Sequence, residues 1–419
     1  MDLSYSAPQD LVHSTTEIYS KITVHNPHTL RQMAPQYRHP DHLLYDFGMR
    51  VCELVRSRSA DCYALELLPG AMRKERPVKV LVTGGTGFTG SHTVRALVAA
   101  GHGVRLLVRD PAKVRTAFDS DAYIPEDVVV GDMTDAAAVD DALAGCDGVV
   151  HVAALVDLRR AAASRVESTN ARGVELVVGG AVRRGLPSIV YVSSLGVFFE
   201  PGGPPLSPEL PIAPGTTAYA RSKAQAERYV RLLQENGAPI SISYPAGISG
   251  PNDPTMSTAN NGLRSLVRDI GVVTSSGMQV VDVRDLATLH LQLLELPAGP
   301  HRYAAAGEML TWSDYFELLD SLTGRRIRRV RVPGGLLRAA GSAGDVVKRF
   351  YDFDFPLTRD TMEFTTQWPN ADAERTTREL GLHFRDAAET YRDTLIWMYQ
   401  AGHLGAKHVG RLADVAVTR

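Results

Sequence analysis

Short runs of valine, isoleucine and leucine recur through the middle of the chain, each closed by glycine or a polar residue. They are VKVLVTG (78–84), VRLLVRD (104–110), VVVGD (128–132), GVVHVAA (148–154), SIVYVSS (188–194) and ISISYPAG (240–247). Runs this apolar predict strands covered on both faces. Between them lie stretches with helical spacing: SHTVRALVAAG (91–101), AAAVDDALAG (136–145), STNARGVELVVGGAVRRG (168–185) and YARSKAQAERYVRLLQENG (219–237). Strand alternating with helix predicts an α/β fold with a doubly wound parallel sheet. The right-handed crossover leaves few ways to wind it.

The alternation occupies 77–250, and 279–296 returns to the same layer. Residues 251–278 and 297–402 read as a smaller, mixed, helix-rich lobe that ends in the helix AAETYRDTLIWMYQAG (387–402). Such a lobe usually shapes a substrate cleft. Residues 403–419 read as a short exposed tail. Residues 1–76 form a distinct, partly helical extension closed by a charged hinge, Arg73-Lys74-Glu75-Arg76-Pro77. One helix is predicted there, from about Asp41 to Ser57, where Leu43, Leu44, Phe47, Val51, Leu54 and Val55 share a face. The extension covers the cleft, mediates a homodimer or docks on the sheet lobe. Its apolar stripe needs a partner, so docking is the default.

Composition narrows the function classes. The 419 residues leave room for about two or three domains. A net charge of −2 gives no global pull toward nucleic acid or an anionic membrane. Three cysteines, Cys52, Cys62 and Cys146, with no C-x-x-C, fit a reducing compartment. No secretory leader and no apolar stretch near about 18 residues is visible. A cytoplasmic enzyme is the expectation. Five of the thirteen histidines (His13, His25, His28, His39, His42) lie in the extension without compact ligand spacing, so no metal is assigned.

The loop T-G-G-T-G-F-T-G at 83–90 follows a predicted strand and precedes a helix, the context of a phosphate-binding turn. Thr83 and Phe88 lie within it. Gly84 permits the tight turn, Gly87 lets the backbone approach a pyrophosphate, and Gly90 lets helix and strand pack closely. The helix start then presents free N–H groups to phosphate. At the end of the next strand an NAD site would normally carry an acid for the ribose 2′-hydroxyl. Here stands Arg109, with Lys113 following. A guanidinium there grips a 2′-phosphate in a fork, which favours NADP over NAD. The competing role for Arg109 is an ion pair with Asp110 on a solvated loop. Asp132 and Met133, after the third strand, can bond and pack on adenine, or Asp132 can serve a turn. Ala153, among small residues closing the fourth strand, suits close passage of a cofactor.

Downstream stand S-S-L-G-V (193–197) and Y-A-R-S-K (219–223). Tyr219 and Lys223, four apart, share a helix face. The ammonium can favour the phenolate and let the tyrosine exchange a proton near neutral pH. Ser194 can hold a carbonyl or hydroxyl. Asn170, in N-x-x-G with Gly173, bridges helix and strand or holds a water; the structural role is preferred. His151 reads as a satisfied buried histidine and His290 as a packing or hydrogen-bonding one. The run Phe350-Tyr351-Asp352-Phe353-Asp354-Phe355 either lines an apolar pocket or packs a core.

TGGTGFTG, DM (132–133), HVAA (151–154), YVSS (191–194) and YxxSK together resemble the extended short-chain dehydrogenase/reductases, over about 77–400. VRLLVRDPAK resembles the dihydroflavonol reductase type. YPAGISGPND (244–253) and VVDVRDLATLHL (280–291) resemble 3β-hydroxysteroid dehydrogenase-like members of the epimerase/dehydratase superfamily. The resemblance implies a Rossmann fold and makes Ser194, Tyr219 and Lys223 the catalytic triad. It places Gly84, Gly87, Gly90, Arg109 and Asp132 at cofactor positions; Thr83, Phe88, Lys113, Met133, Ala153, Tyr219, Lys223 and Pro245 are also expected to bind the cofactor. Tyr244 departs from the family's usual arginine and Ser249 from its common aromatic, both near the expected cleft.

The expected function is an NADP(H)-dependent ketoreductase or alcohol dehydrogenase on a small, largely apolar molecule. The alternative is a nucleotide-sugar epimerase or dehydratase with tightly bound NAD. Residues 195–199 (LGVFF) lack a dehydratase's acidic pair, and YPAGISGP lacks the asparagine of an epimerase. A nucleotide-sensing regulator on this fold would have lost the triad, which is intact here.

Overall fold

The structure is a computed structural model that describes residues 77–119, 121, 123–157, 160–347 and 358–417. The chain divides into two compact units, Met1–Lys74 and Glu75–Arg419, and the described residues belong to the second. The expected helix at 41–57, the five N-terminal histidines, Cys52, Cys62 and the aromatic run at 350–355 lie outside the described residues.

Seven parallel strands form the main sheet: β1 (Lys79–Thr83), β2 (Gly103–Val108), β3 (Val128–Val130), β4 (Gly148–His151), β5 (Ser188–Val192), β6 (Ile240–Pro245) and β10 (His301–Ala305). Their spatial order is β10-β6-β5-β4-β1-β2-β3. The order reverses between β1 and β4, which opens a crevice at the C-terminal edge there. Helices α1 (Phe88–Ala99), α2 (Ala112–Phe118), α3 (Ala136–Leu143), α4 (Ala163–Arg183), α5 (Ala218–Glu235) and α7 (Val283–Glu295) run with the sheet; α6 (Thr258–Arg268) belongs to the second lobe.

The predicted apolar runs work as expected, because alternate residues fill two cores. Leu81, Val149, Ile189, Tyr191 and Ile242 face Val139, Leu143, Val177 and Val230 of α3, α4 and α5. Val80, Val82, Leu106, Val150 and Val190 face Val94, Leu97, Leu286 and Leu289 of α1 and α7. A strand buried on both sides tolerates no polar alternation.

The seventh strand corrects the expected boundary at 297. His301–Ala305 pairs in register with Ser241–Pro245, so this segment belongs to the sheet and not to the second lobe. Its polar first residues lie at the strand's start and only its last three are buried, which hides the strand signal.

The second lobe has its own core, built from Leu263, Val280, Phe316, Leu319, Tyr391 and Leu395. It holds a three-stranded sheet of β7 (Gly247–Ser249), β9 (Gly277–Asp282) and β11 (Met309–Thr311), and a pair of β8 (Gly271–Val273) with β12 (Arg329–Arg331). The expected tail is also corrected. Residues 406–409 and 412–417 form two short helices, and Leu404, Val409, Leu412 and Ala416 are buried in this core. Gly405 and Gly410 break the stretch into pieces too short for a helical period to show.

Candidate active site

Strand β1 delivers the chain into the glycine loop. Gly84 adopts φ +72°, and a Cβ there would lie 2.9 Å from the backbone of Ala153 after β4. Gly87 N donates to Gly84 O at 2.9 Å, closing the turn. A Cβ at Gly90 would lie 2.1 Å from Gly84 O. Gly90 thus permits contact of α1 with the loop itself, a refinement of the expected helix–strand contact. Gly87 caps α1 without any side chain, and no acidic residue occupies the first turn. A turn packed this tightly against the strand, ending on helix amides without a side-chain cap, fits a dinucleotide pyrophosphate.

Other loop residues have inward roles. The Thr83 hydroxyl pairs with His151 Nδ1 at 2.8 Å and accepts from Ala153 N at 3.3 Å. Phe88 is buried edge-on against His92, with centroids 5.7 Å apart, so its contribution to the cradle is its backbone. Pro245 closes β6, buried, at the same sheet edge.

Arg109 and Lys113 are exposed at the end of β2, and among the described residues no hydrogen bond or ion pair engages the Arg109 guanidinium. Asp110 instead accepts from Ala112 N at 3.0 Å. The nearest influence of Arg109 is on Asp132. Burial pushes that carboxyl up, but bonds from the Thr134 hydroxyl and N–H and the charge of Arg109 outweigh it and hold it below its usual range. Asp132 accepts from Thr134 N at 2.9 Å and Thr134 Oγ1 at 2.7 Å, a turn role. Met133 packs on α4: a Cβ at Gly173 would lie 2.8 Å from its sulfur, which explains that glycine.

Ser194 stands two residues past β5. Its Oγ accepts from Gly196 N at 3.1 Å and caps the turn 195–198. That leaves the hydroxyl proton free to donate. Helix α5 starts on Thr217, whose Oγ1 accepts from Ala220 N at 3.0 Å, and carries Tyr219 and Lys223 in its first two turns. Lys223 is buried; its Nζ donates to Val192 O at 2.9 Å and lies 5.4 Å from the Tyr191 ring centroid. Tyr219 is half-buried, and burial pushes the phenol up to about 12. Burial also pushes Lys223 down to about 8, partly opposed by Glu227. Lys223 is turned to a carbonyl, and the phenol keeps its proton.

Asn170 takes the structural role. Its Oδ1 accepts from Leu155 N at 2.7 Å, and its Nδ2 donates to Leu155 O at 3.0 Å and Ser222 Oγ at 2.9 Å. It ties the segment after β4 to α5. His290 bridges Thr93 Oγ1 at 2.8 Å and Ser243 Oγ at 3.0 Å, a structural bridge as read. His151 departs from its expected satisfaction: Nδ1 is paired, but Nε2 is buried without a protein partner.

Two residues expected near the cleft are interior. Tyr244 is wholly buried against Phe198, and Ser249 donates to Asn260 Oδ1 at 3.0 Å inside the second lobe. The sequence reading missed Glu227, wholly buried and bonded to Ser193, Tyr244 and Arg231. Its signal was a carboxylate four residues after Lys223, hence on the lysine's own buried face. A recess of about 420 Å³ opens elsewhere, lined by Gln279, Gly307, Met309, Asn370, Asp372 and Phe384. None of the trio lines it, so the chemistry and not the size of a recess locates the site. Among the described residues no group of His, Cys, Asp and Glu is arranged to hold a metal, and no helix is long and apolar enough to cross a membrane.

A parallel sheet in this order, with a glycine turn after its first strand, defines a Rossmann-type fold of the kind that binds dinucleotides. Residues 80–306 match the NAD dependent epimerase/dehydratase family, and the chain belongs to that family. It is 29% identical over 330 residues to sterol demethylase protein B of Methylococcus capsulatus, covering 77% of this chain and 98% of that one. It is 28% identical to a putative dihydroflavonol 4-reductase of Synechocystis, over 77% of this chain and 95% of that one. It is 30% identical to a 3-beta-hydroxysteroid dehydrogenase of Mycolicibacterium neoaurum, over 62% and 75% respectively. The UDP-glucose-4-epimerase of Stenotrophomonas maltophila, solved with NAD and formylated UDP-arabinopyranose, shares the fold with a TM-score of 0.64 at 20% identity, over 78% of this chain and 99% of that one.

Proposed function

We propose that the chain is an NADP(H)-dependent oxidoreductase that interconverts a ketone and a secondary alcohol on a small, largely apolar substrate. The observation that carries this reading is the bond from Lys223 Nζ to Val192 O at 2.9 Å, which ties the helix bearing Tyr219 and Lys223 to the strand that runs on into Ser194. A bound nicotinamide would supply or accept the hydride. The glycine cradle at Gly84, Gly87 and Gly90 would hold its pyrophosphate. The exposed Arg109, unpaired among the described residues, with Lys113, would hold a 2′-phosphate.

In reduction, Ser194 donates its free proton as a hydrogen bond to the substrate carbonyl oxygen. Tyr219 delivers a proton to that oxygen as negative charge develops there. Lys223 keeps one N–H on Val192 O, and its remaining donors can meet the ribose and stabilise the tyrosinate left behind. Oxidation reverses the same proton path. Asn170, Leu155 and Ser222 hold α5 at its angle to β4 and act through position, not contact.

The substrate class draws support from the relatives named for sterols, hydroxysteroids and dihydroflavonols, all largely apolar. The second reading, a nucleotide-sugar epimerase with tightly bound NAD, draws on the shared fold of the solved epimerase. The LGVFF segment after Ser194 carries no acidic pair, and β6 leads into YPAGISGP, both of which favour the reductase.

Purified protein tests the choice. NADPH consumed by a panel of cyclic and aryl ketones, with cofactor exchanging freely, supports the reductase. NAD that survives purification, with no net consumption, supports the epimerase.

A further inference from the structure

Beneath the trio lies a buried charged cluster that hydride and proton transfer do not themselves require. Glu227 has no exposed surface and sits one turn beyond Lys223 on α5. Its Oε2 accepts from Ser193 Oγ at 2.7 Å. Its Oε1 accepts from Tyr244 OH at 2.5 Å and from Arg231 Nε at 2.7 Å. Arg231 is fixed in turn: Nη2 donates to Pro208 O at 3.0 Å and to Tyr244 OH at 3.3 Å, and the guanidinium lies 5.3 Å from the Phe198 ring centroid.

Burying a carboxylate is costly even when paired, and apolar side chains of similar volume would often stabilise as well. The partners suggest what the charge is for. Ser193 immediately precedes Ser194. Lys223 is on the same helix face, one turn back. Tyr244 is on β6, the strand beside β5. Two of its three bonds therefore join α5, which bears Tyr219 and Lys223, to the sheet: one to Ser193 beside Ser194 after β5, one to Tyr244 on β6; the third, to Arg231, lies within α5 and fixes the carboxylate there.

We propose that Glu227, held by Ser193, Tyr244 and Arg231, is a positioning residue that locks α5 to β5 and sets Lys223 and Ser194 in their working geometry. The proposal rests on the oxidoreductase reading. A second effect supports it. The groups recorded as acting on Lys223 are the Val192 carbonyl and Tyr191 ring from β5, neutral His151 from β4, and Glu227 from its own helix. Among these Glu227 is the one carboxylate, and it opposes the burial that drives Lys223 toward its neutral form. Arg231 is the matching cation. A guanidinium placed at position 244 would face the same carboxylate from the strand side.

The test uses the full chain and three variants: Glu227→Gln, Arg231→Leu, and Arg231→Leu with Tyr244→Arg. Glutamine keeps the shape and can still bond Ser193 and Tyr244. Expected for Glu227→Gln is a 10- to 100-fold drop in kcat, KM and NADPH affinity within about threefold, and an alkaline limb of kcat moved about one pH unit lower. In cofactor-free protein, the Lys223 signal of ¹³C-lysine NMR, assigned with Lys223→Met among the seven lysines, should titrate lower by a similar amount. Arg231→Leu should lose kcat, and the double variant should recover most of it by returning the cation from β6.

Wild-type kcat and Lys223 titration in Glu227→Gln would overturn the proposal alone. So would a loss that falls equally on cofactor binding, or a double variant no better than Arg231→Leu. Wild-type protein that consumes no NADPH with any ketone would instead remove the reading beneath it.

Discussion

The ammonium of Lys223 lies 2.9 Å from the carbonyl oxygen of Val192, the last residue of β5. A lysine of helix α5 is thereby fixed to the strand that ends beside Ser194. Burial holds this lysine at about 8 instead of its ordinary 10.5. The folded chain binds fewer protons than the unfolded chain between these values, so this group makes stability rise with pH from about 8 to 10.5. The ammonium needed beside the tyrosinate is lost over the same range. Reductive kcat should decline above about pH 8, and Lys223→Met should remove that limb and lower kcat by roughly 10²- to 10⁴-fold. A pH profile of kcat with saturating NADPH decides it; an unchanged limb in the variant would exclude Lys223 as its source.

Arg109 should choose the cofactor. Its guanidinium is exposed at the end of β2, and Asp110, its expected competitor, is occupied by Ala112 N. Arg109→Ala should weaken NADP⁺ binding about 10- to 100-fold, as loss of a charge-assisted bond implies, and leave NAD⁺ within about twofold. Calorimetric titration with both nucleotides measures this. Equal loss for the two would mean that Arg109 reads no 2′-phosphate.

Gly90 should tolerate no side chain. The Cβ of Gly90→Ala would lie 2.1 Å from Gly84 O, a contact with backbone that cannot rotate away. The variant should lose nucleotide affinity by at least about tenfold while the sheet persists, since the glycine loop must open to admit the methyl. Nucleotide binding and circular dichroism, measured together, test both halves.

Acid should destabilise the fold through its buried histidines. Burial pushes His290 and His151 down to about 3. The unfolded chain binds more protons between about 3 and 6.5, so stability present at neutral pH is lost as pH falls through that window. The ceiling is about 5 kcal/mol for each group, from about 1.4 kcal/mol per pH unit. In urea titrations at pH 7 and pH 5, His290→Gln should show a smaller fall in stability than wild type. An equal fall would place the acid sensitivity elsewhere.

Much of this was legible in the sequence where one local rule acts alone. Apolar runs buried on both faces announce six of the sheet strands, and glycines that exclude a Cβ announce the loop. His301–Ala305 was hidden because only its end is buried. The packed helices after Leu404 were hidden because Gly405 and Gly410 divide the stretch into pieces too short to show a helical period. Tyr244 and Ser249 looked cleft-facing from resemblance alone, yet both point inward, since side-chain direction depends on tertiary packing. Glu227 was missed for the same reason. A glutamate on a polar-looking helix reads as solvated until Arg231 and Tyr244 are seen to enclose it.

Transfer of a labelled hydride tests the central claim most directly. NADPH carrying deuterium at both C4 positions would be incubated with wild-type protein or with Tyr219→Phe and a prochiral ketone, and the alcohol would be analysed by mass and NMR. The expected result is one deuterium at the carbinol carbon for wild type, with stoichiometric NADP⁺ release, and almost none for Tyr219→Phe. Wild-type protein that leaves the ketone unlabelled, or a Tyr219→Phe variant that labels it at the wild-type rate, would contradict the account.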